Sequence, residues 1–201
     1  MIIPSEKILF IHPMKCGGGS FRIMMENIFG NKCKQSIKET AHWNLLQWKN
    51  YLKDDFDEYY KIGIVRNPWD RAVSYFHHCK QHGLYKPSPY ASDNGFNKFI
   101  CRTTFLYSHR YSIYCNFTID GVYLMDNVIK IESFAEDFKT IADKYKIKNY
   151  KLIHERHNTS RPKEDDYKKY FKDKEKNPQR DMIAQIASIS QFEINKFNYK
   201  F

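Results

Sequence analysis

The stretch from Lys7 to Met25, KILFIHPMKCGGGSFRIMM, most constrains how this chain can fold. Its four consecutive apolar residues, Ile8–Ile11, are typical of a buried parallel strand. Lys15 and a run of three glycines follow, and the spacing of apolar residues after Ser20 predicts a helix. Glycines let the backbone turn sharply, and the N–H groups of a helix N-terminus beside an ammonium group form a site for an anion. We therefore predict that a phosphate or sulfate group binds at this strand-to-helix corner.

The order of residues in this corner differs from that of the common nucleotide-binding P-loop. In the pattern G-x-x-x-x-G-K-[ST] the lysine follows the glycines, whereas Lys15 precedes them. A flexible turn between a strand and a helix is the alternative interpretation of the same residues.

A second corner repeats this layout further along the chain. Residues 60–65, YKIGIV, predict a strand, and Arg66 follows it directly. Asn67 and Pro68 are typical of the N-cap and first position of a helix, so we predict another helix start suited to an anion. The guanidinium of Arg66 can bind a phosphate with two parallel hydrogen bonds, and Ser74 offers a hydroxyl two turns along the helix.

Strand and helix patterns alternate along the chain, which predicts an α/β fold with a mainly parallel sheet. Residues 121–123 and 127–131 are predicted to form a strand pair or one buried strand, and residues 134–145 a helix. Residues 84–117, rich in Tyr, Ser, Pro and Asn, predict an irregular insertion over one face. The charged residues 163–176 predict a solvated helix, and Asn177-Pro178 predicts the start of a closing helix.

Length and charge limit the class of protein without fixing it. The 201 residues are enough for one domain with a substantial core, and the formal net charge is +10. Such a basic surplus suits nucleic acids, anionic nucleotides, acidic substrates or a membrane surface. No apolar run reaches the roughly 20 residues that a membrane-spanning helix requires, and the start lacks the pattern of a signal peptide. We therefore expect a cytoplasmic protein without an integral membrane segment.

Cysteine and histidine usage gives little support for a metal centre. The five cysteines are scattered without a C-x-x-C pair, which indicates reduced thiols. His78 and His82 have the i, i+4 spacing of metal ligands, and His77 lies beside them. Because no acidic or further ligand stands nearby, a polar helix face is the favoured interpretation, and we expect no metal.

Four blocks of the sequence fall in an order that resembles one known family. They are IHPMKCGGGSF, IVRNPWDRAVSYF, IKIESFAEDF and HNTSRPKEDDYKKYF. The first resembles the 5′-phosphosulfate loop of the carbohydrate sulfotransferases, I-H-x-P-K-T-G-G-T-S-F, and the second their 3′-phosphate site, V-R-N-P-[YW]-[DE]-R-x-V-S. The third resembles their strand–helix junction, R-[FY]-E-x-L-x-x-D-[FW], and the fourth their H-x-N-x-S loop with a tyrosine-rich helix. Together the blocks cover nearly the whole chain.

The resemblance implies a fold and a reaction. The fold would be a three-layer, P-loop-kinase-like α/β domain over residues 1–201, with a central mainly parallel sheet flanked by helices. Residues 84–117 would form an insertion on the acceptor side. The donor would be 3′-phosphoadenosine 5′-phosphosulfate (PAPS), bound without a metal and released as 3′-phosphoadenosine 5′-phosphate (PAP). The acceptor would carry a hydroxyl, most simply on a glycan or glycolipid, and no nucleic acid would be involved.

The resemblance also assigns roles to residues that bind the donor. Lys15 corresponds to the lysine that bridges the donor sulfate and phosphate. The cradle of the 5′-phosphate would comprise Cys16, Gly17, Gly18, Gly19, Ser20 and Phe21. Arg66 and Ser74 match the pair that binds the 3′-phosphate, and Ser160 and Arg161 lie in the late loop that closes over the nucleotide in relatives.

The candidate base lies between the two phosphate motifs. His42 stands where the family often has a catalytic histidine, and a neutral imidazole can take the proton of a hydroxyl near pH 7. Glu39, three residues upstream, is the alternative base, and a merely polar or helix-capping role is the alternative for His42.

Departures from the family pattern keep other functions open. Met14 stands where the family has a proline before the lysine, and Cys16 stands where it has a threonine after the lysine. Gly19 stands where the family has the threonine of the glycine run. Because these changes remove hydroxyl groups that can contact phosphate, a homologue that binds the nucleotide but has lost activity is one alternative. A magnesium-dependent nucleotide kinase and a nucleic-acid-binding module are the others.

Overall fold

The computed structural model describes residues 1–33, 41–86, 95–103, 105–108, 110–148, 150, 166–172 and 181–201. Its chain divides into two compact units. The first comprises Met1–Arg66 and Ile113–His157, and the second comprises Asn67–Ser112 and Asn158–Phe201. A single domain over residues 1–201 stays a prediction.

The described elements alternate between strands and α-helices over most of the chain. In order they are β1 (Ile2–Ile3), β2 (Ile8–Ile11), α1 (Gly18–Phe29), α2 (Leu45–Leu52), β3 (Tyr60–Val65), α3 (Pro68–Gln81), α4 (Phe96–Arg102), α5 (Ile113–Phe117), β4 (Thr118–Ile119), β5 (Val122–Tyr123), β6 (Asn127–Lys130), α6 (Phe134–Lys144), α7 (Met182–Ile189) and α8 (Gln191–Phe197). No helix in the described part of the chain has the length and apolar character needed to cross a membrane.

The first unit is built on a four-stranded sheet with the order β1-β2-β3-β6. Strands β2, β3 and β6 run parallel, with Ile11 opposite Gly63 and Val65 opposite Lys130. The short strand β1 pairs with β2 in the antiparallel direction, and the sequence analysis did not foresee it. The parallel strands bring the loops after β2, β3 and β6 to one edge of the sheet, where ligands bind in open α/β sheets.

Helices pack on this sheet through aromatic side chains. All four residues of β2 are buried, as the unbroken apolar run predicts. Phe21 of α1 stacks on Phe10 with ring centroids 4.0 Å apart, and it meets Phe138 of α6 edge to face at 6.1 Å. The α/β fold with a central, mainly parallel sheet flanked by helices is confirmed.

The predicted pairing of residues 121–131 is wrong in detail. Val122–Tyr123 pairs with Thr118–Ile119 in a separate antiparallel hairpin, whereas Asn127–Lys130 joins the main sheet beside β3. Asp120 and Gly121 both have positive φ, at 49° and 79°, so the chain reverses between the two short strands. The hairpin signal lay in this Asp-Gly pair, which the sequence analysis passed over.

Residues 84–117 are also more regular than the composition predicted. Helix α4 begins after Gly95, whose φ is 81°, and buries Phe96, Phe99 and Ile100. Helix α5 buries Ile113, Asn116 and Phe117. The prediction of an irregular segment is therefore wrong for these described residues, because tertiary burial of apolar side chains outweighs the surrounding loop-forming residues.

The second unit packs around helix α3. Asn67 caps the helix and Pro68 occupies its first position, as predicted, and the helix ends at Gln81. Arg71 is buried, where its Nη2 donates to the Tyr111 carbonyl at 2.6 Å and its Nη1 lies 3.7 Å from the Glu193 carboxylate. Burial raises the pKa of Glu193, and the neighbouring guanidinium opposes that rise.

The end of the chain differs from its predicted form. Asn177-Pro178 lies outside the described residues, and α7 begins after Asp181, whose side chain accepts from the N–H groups of Ile183 and Ala184. A break at Ser190 separates α7 from α8, where one continuous helix was predicted. The described part of the predicted solvated helix forms a short 3-10 helix, Tyr167–Phe171, that buries Tyr170 and Phe171.

Candidate active site

The corner between β2 and α1 turns into the helix through two residues of left-handed conformation. Lys15 adopts the left-handed conformation, with φ of 64°, and Gly17 at the N-cap has φ of 79°. Among the described residues no side chain caps α1. The Ser20 N–H donates to the Gly17 carbonyl, so the N–H groups of Gly18 and Gly19 and the positive end of the helix dipole are the features of this turn that suit an anion. An anion site at this helix start stays a prediction.

The three glycines of this loop differ in how much room their surroundings leave for a side chain. A Cβ on Gly17 would overlap Ile131, and its positive φ disfavours any other residue. A Cβ on Gly18 would overlap the imidazole ring of His12. A Cβ on Gly19 would meet nothing within 4 Å. The first two glycines are thus fixed by the protein's own packing, and the third borders open space.

Other residues of the predicted cradle point into the fold. The Cys16 side chain is buried, its Sγ lies 3.7 Å from the Met14 carbonyl, and its N–H donates to the Pro13 carbonyl at 3.4 Å. Phe21 is buried among the aromatic rings of the core. The N–H groups of Ser20 and Phe21 both donate to the Gly17 carbonyl, at 3.2 and 3.4 Å. The side chains of Cys16 and Phe21 therefore contribute to packing, and their N–H groups donate to carbonyl oxygens of the same loop.

Arg66 lies against the first corner. Its Nη1 donates a hydrogen bond to the Lys15 carbonyl oxygen at 3.3 Å. Strands β2 and β3 are parallel neighbours, so the residues that follow them meet at the same edge of the sheet. The structure thus brings the guanidinium of the second motif to the backbone of Lys15 in the first motif.

The corner after β6 supports the first corner from a third side. The Asp137 carboxylate of α6 accepts hydrogen bonds from the Lys130 N–H at 2.7 Å and the Ser133 hydroxyl at 2.9 Å. These bonds hold the turn that carries Ile131, and Ile131 packs against Gly17. The third sequence block therefore contains residues that shape the anion loop.

His42 is also attached to this loop. Its Nδ1 lies 2.9 Å from the His12 carbonyl oxygen. Because a carbonyl oxygen only accepts, Nδ1 must carry the proton, and a neutral His42 ring then has its lone pair on Nε2. This tautomer presents Nε2 as the basic nitrogen.

Helix α2 fixes the position of His42 from the other side. Asn44 caps the helix in a reciprocal pair of hydrogen bonds with Gln47, each 2.9 Å long. Trp43, next to His42 in the chain, packs edge to face on Trp48 and Tyr51 of α2, at 5.2 and 5.8 Å between ring centroids. These contacts attach the chain that follows His42 to helix α2.

His12 joins these parts of the site, and no role was predicted for it. It directly follows the last residue of β2, its carbonyl holds His42, and its ring contacts Gly18 and lies 4.7 Å from the His42 ring. The sequence feature that could have identified His12 is its position in the loop directly after a buried strand, where binding residues concentrate.

The remaining predicted site residues are not placed in this group. Ser74 lies on α3 in the second unit and is buried. Glu39, Ser160 and Arg161 lie outside the described residues.

The prediction of a second anion-ready helix start is wrong. The Asn67 side chain accepts hydrogen bonds from the N–H groups of Trp69 and Asp70, at 3.1 and 3.3 Å. The Asn67 carbonyl accepts from the Arg71 N–H at 2.8 Å. The N–H groups in the first turn of α3 therefore have hydrogen-bond partners within the protein, because asparagine is an efficient N-cap.

The histidines of α3 have other contacts than a metal. His77 Nε2 lies 2.6 Å from the Tyr170 hydroxyl, and His82 Nδ1 lies 2.9 Å from the His78 carbonyl. Among the described residues no three His, Cys, Asp or Glu side chains come close enough together to hold a metal ion.

Comparison with known proteins assigns the chain to a family. A family model described as "Sulfotransferase family" matches residues 1–200. Searches of curated proteins and of solved structures gave no match. Because the match spans nearly the entire sequence and includes the corner that holds Lys15, Arg66 and His42, the chain belongs to the sulfotransferase family.

Proposed function

We propose that this protein transfers a sulfuryl group from PAPS to a hydroxyl of a carbohydrate acceptor. One observation carries the proposal: the loop of residues 12–15 holds both the candidate base and the candidate phosphate ligand. The His12 carbonyl accepts from His42, and the Lys15 carbonyl accepts from Arg66. A base, an ammonium and a guanidinium are thereby joined to one helix N-terminus.

The charges of this site suit a donor with two anionic ends. In the proposal the α1 N-terminus and Lys15 bind the phosphosulfate, and Arg66 binds the 3′-phosphate. The bond from Arg66 to Lys15 fixes the orientation of a guanidinium that can contact two phosphate oxygens at once. The sterically constrained glycines let the loop backbone approach the 5′-phosphate closely.

The reaction follows from the same geometry. A sulfur–oxygen bond forms to the acceptor hydroxyl, and the bond from sulfur to the phosphate oxygen of the donor breaks. Negative charge develops on that departing oxygen, where the Lys15 ammonium stabilises it, as cations do in phosphoryl transfer. His42 Nε2 takes the proton of the hydroxyl as general base. The products are the sulfated acceptor and PAP.

Aromatic residues beside the base support a carbohydrate acceptor. Trp43 and Tyr51 pack on each other next to His42, and Tyr51 is 60% exposed. Such aromatic faces suit the apolar faces of sugar rings, and the net charge of +10 favours an acidic glycan.

Calorimetry tests the donor. We expect PAP to bind at least about tenfold more tightly than adenosine 5′-phosphate, because the 3′-phosphate adds charge-assisted hydrogen bonds. Equal affinity for the two nucleotides would refute the proposed donor site. Tighter binding of ATP with magnesium would instead indicate a kinase.

Transfer of labelled sulfate from PAPS to a panel of glycans and glycolipids tests the reaction. Label on a glycan would support the proposal, and the sulfated position would identify the acceptor hydroxyl. Binding of PAP without transfer to any hydroxyl-bearing acceptor would refute activity and indicate an impaired homologue.

A further inference from the structure

His12 contacts three parts of the candidate site at once. Its carbonyl oxygen lies 2.9 Å from His42 Nδ1, and its ring lies 4.7 Å from the His42 ring. The same ring fills the space beside Gly18, the first residue of α1, and lies parallel to Phe10 at 6.0 Å. His12 therefore contacts both the first turn of α1 and His42. In the proposed function, α1 faces the donor and His42 faces the acceptor.

We propose that His12 is a positioning residue for His42, an inference that rests on the proposed function of the site. Its carbonyl oxygen holds the Nδ1 proton of His42. Its imidazole ring, braced against the first turn of α1, sets where Nε2 of His42 lies.

The carbonyl contact fixes the chemical form of the base. In water an imidazole exchanges its proton between the two nitrogens, and only one tautomer has its lone pair on Nε2. A fixed acceptor at Nδ1 selects that tautomer before the acceptor hydroxyl arrives. The base then needs no rearrangement of its proton during the reaction.

The ring contact fixes distance. Gly18 leaves room for the His12 ring, and any larger residue at position 18 would displace it. The His12 ring is tilted by 59° against the His42 ring and packs beside it. If the loop of residues 12–15 shifted, His42 would therefore shift with it. The distance between the bound donor and the base would stay the same. Misplacement by about 1 Å can cost as much as a hundredfold in rate.

The charge state of His12 supports this role. Burial lowers the pKa of the His12 imidazole well below its usual range. The positively charged groups around it act in the same direction, and they are His42, the amino group of the chain, Arg22 of α1 and Lys15. His12 therefore stays neutral at neutral pH, and repulsion between the two rings disfavours a proton on both. The proton released by an acceptor goes to His42.

Nitrogen-15 NMR of the imidazole rings tests the inference without any substrate. The signals can be assigned by comparison with the His12→Phe and His42→Ala variants. At neutral pH we expect His42 to carry its proton on Nδ1, and His12 should stay neutral well below the pH at which an ordinary histidine becomes protonated. A proton on Nε2 of His42 at neutral pH, or an ordinary titration of His12, would overturn the inference.

A pair of glycine variants tests the brace while leaving both histidines in place. Gly18→Ala should displace the His12 ring and change the imidazole signals of His42. Gly19→Ala is the matched variant in the same helical turn, because a Cβ there meets nothing within 4 Å, and it should leave those signals unchanged. Equal effects of the two variants, or no effect of either, would contradict the brace.

Kinetics separates positioning from packing alone. We expect His12→Ala to lower kcat by roughly tenfold with little change in the KM for PAPS, because the groups that would bind the donor remain. His12→Phe, which restores a neutral ring of similar shape, should recover several-fold of that loss. An unchanged kcat in His12→Ala, or an equal loss in both folded variants, would overturn the positioning role. Should His12→Ala fail to fold, the wild-type NMR measurement decides.

The two proposals fail in different ways. If PAPS gives no product while His42 keeps its Nδ1 proton, the proposed function fails and the tautomer assignment survives. If transfer occurs while the His42 proton lies on Nε2, the enzyme stands and the role of His12 is refuted.

Discussion

The β2–α1 and β3–α3 corners have the same sequence layout but differ in how the N–H groups at the start of each helix are hydrogen-bonded. Each consists of a strand, a cation and a helix, with Lys15 in one and Arg66 in the other. Helix α1 begins at Gly18, after the N-cap Gly17, and has no side-chain cap in the described chain, whereas the Asn67 side chain occupies the first turn of α3. In α1 the Ser20 N–H donates to a backbone carbonyl, whereas in α3 the Trp69 and Asp70 N–H groups donate to the Asn67 side chain.

The difference shows how two similar corners can serve one site. Arg66 contributes its guanidinium, which it directs to the Lys15 carbonyl of the other corner. Asn67 and Pro68 serve the stability of α3. In the proposal the first corner binds its anion with a helix N-terminus and Lys15, whereas the second corner contributes only the Arg66 guanidinium.

Replacing the ammonium of the first corner should have the largest effect. We expect Lys15→Gly to lower the rate of sulfate transfer by about a thousandfold, because it removes the cation at the departing oxygen. Its free energy of unfolding should change by no more than about 1 kcal/mol, since glycine relieves the left-handed backbone while it gains entropy when unfolded. Thermal melts and labelled-sulfate assays measure both.

Lys7→Gly is the matched control for that variant. Lys7 also has a left-handed backbone, with φ of 50°, and its ammonium pairs with Glu58 at 2.8 Å. We expect transfer to continue at the wild-type rate. An equal loss of rate in both lysine variants would show that backbone conformation, and not the Lys15 ammonium, matters.

Removing the guanidinium of the second corner should have the next largest effect. We expect Arg66→Ala to weaken PAP binding by roughly ten- to a hundredfold, the value of a charge-assisted contact. Arg66→Lys should recover only part of this loss because it lacks the planar fork. Calorimetry with adenosine 5′-phosphate is the control, and an equal loss for that nucleotide would contradict a 3′-phosphate contact.

Removing the cap of α3 should affect stability and not donor binding. We expect Asn67→Ala to lower the free energy of unfolding by about 1 kcal/mol, the usual cost of losing an N-cap. Asn67→Asp, which keeps an acceptor oxygen, should restore most of it. A drop in PAP affinity beyond about twofold for Asn67→Ala would mean that the N-terminus of α3 also takes part in binding the nucleotide, and the contrast between the two helix starts would fail.

Adding a hydroxyl to the first corner should have the smallest effect. A side chain at Gly19 meets nothing within 4 Å, so Gly19→Thr should fit, and one new hydrogen bond to the donor would raise PAP affinity by about threefold. Gly19→Val has nearly the same shape without the hydroxyl and should show no gain. Equal affinities of these two variants would place Gly19 away from the phosphate.

Local sequence patterns predicted most of the strands and helices and part of the candidate site. The apolar run of β2, the glycines before α1 and the Asn-Pro pair before α3 each act within a few residues, so periodicity and cap chemistry predicted their elements. The Asp-Gly reversal at residues 120–121 was equally local and was overlooked. Helix α4 was not predictable in this way, because burial of Phe96 and Phe99 outweighs its loop-like surroundings.

The sequence by itself determined which residue types follow each strand: an ammonium, a guanidinium and a histidine at fixed positions of the chain. Only the tertiary structure decided that the Lys15 carbonyl meets Arg66, that His42 takes its tautomer from His12, and that α1, unlike α3, has no side-chain cap among the described residues. The physical reason is distance along the chain. Parallel pairing of β2 with β3 brings Lys15 and Arg66 together although they are 51 positions apart, and no local propensity encodes such a contact.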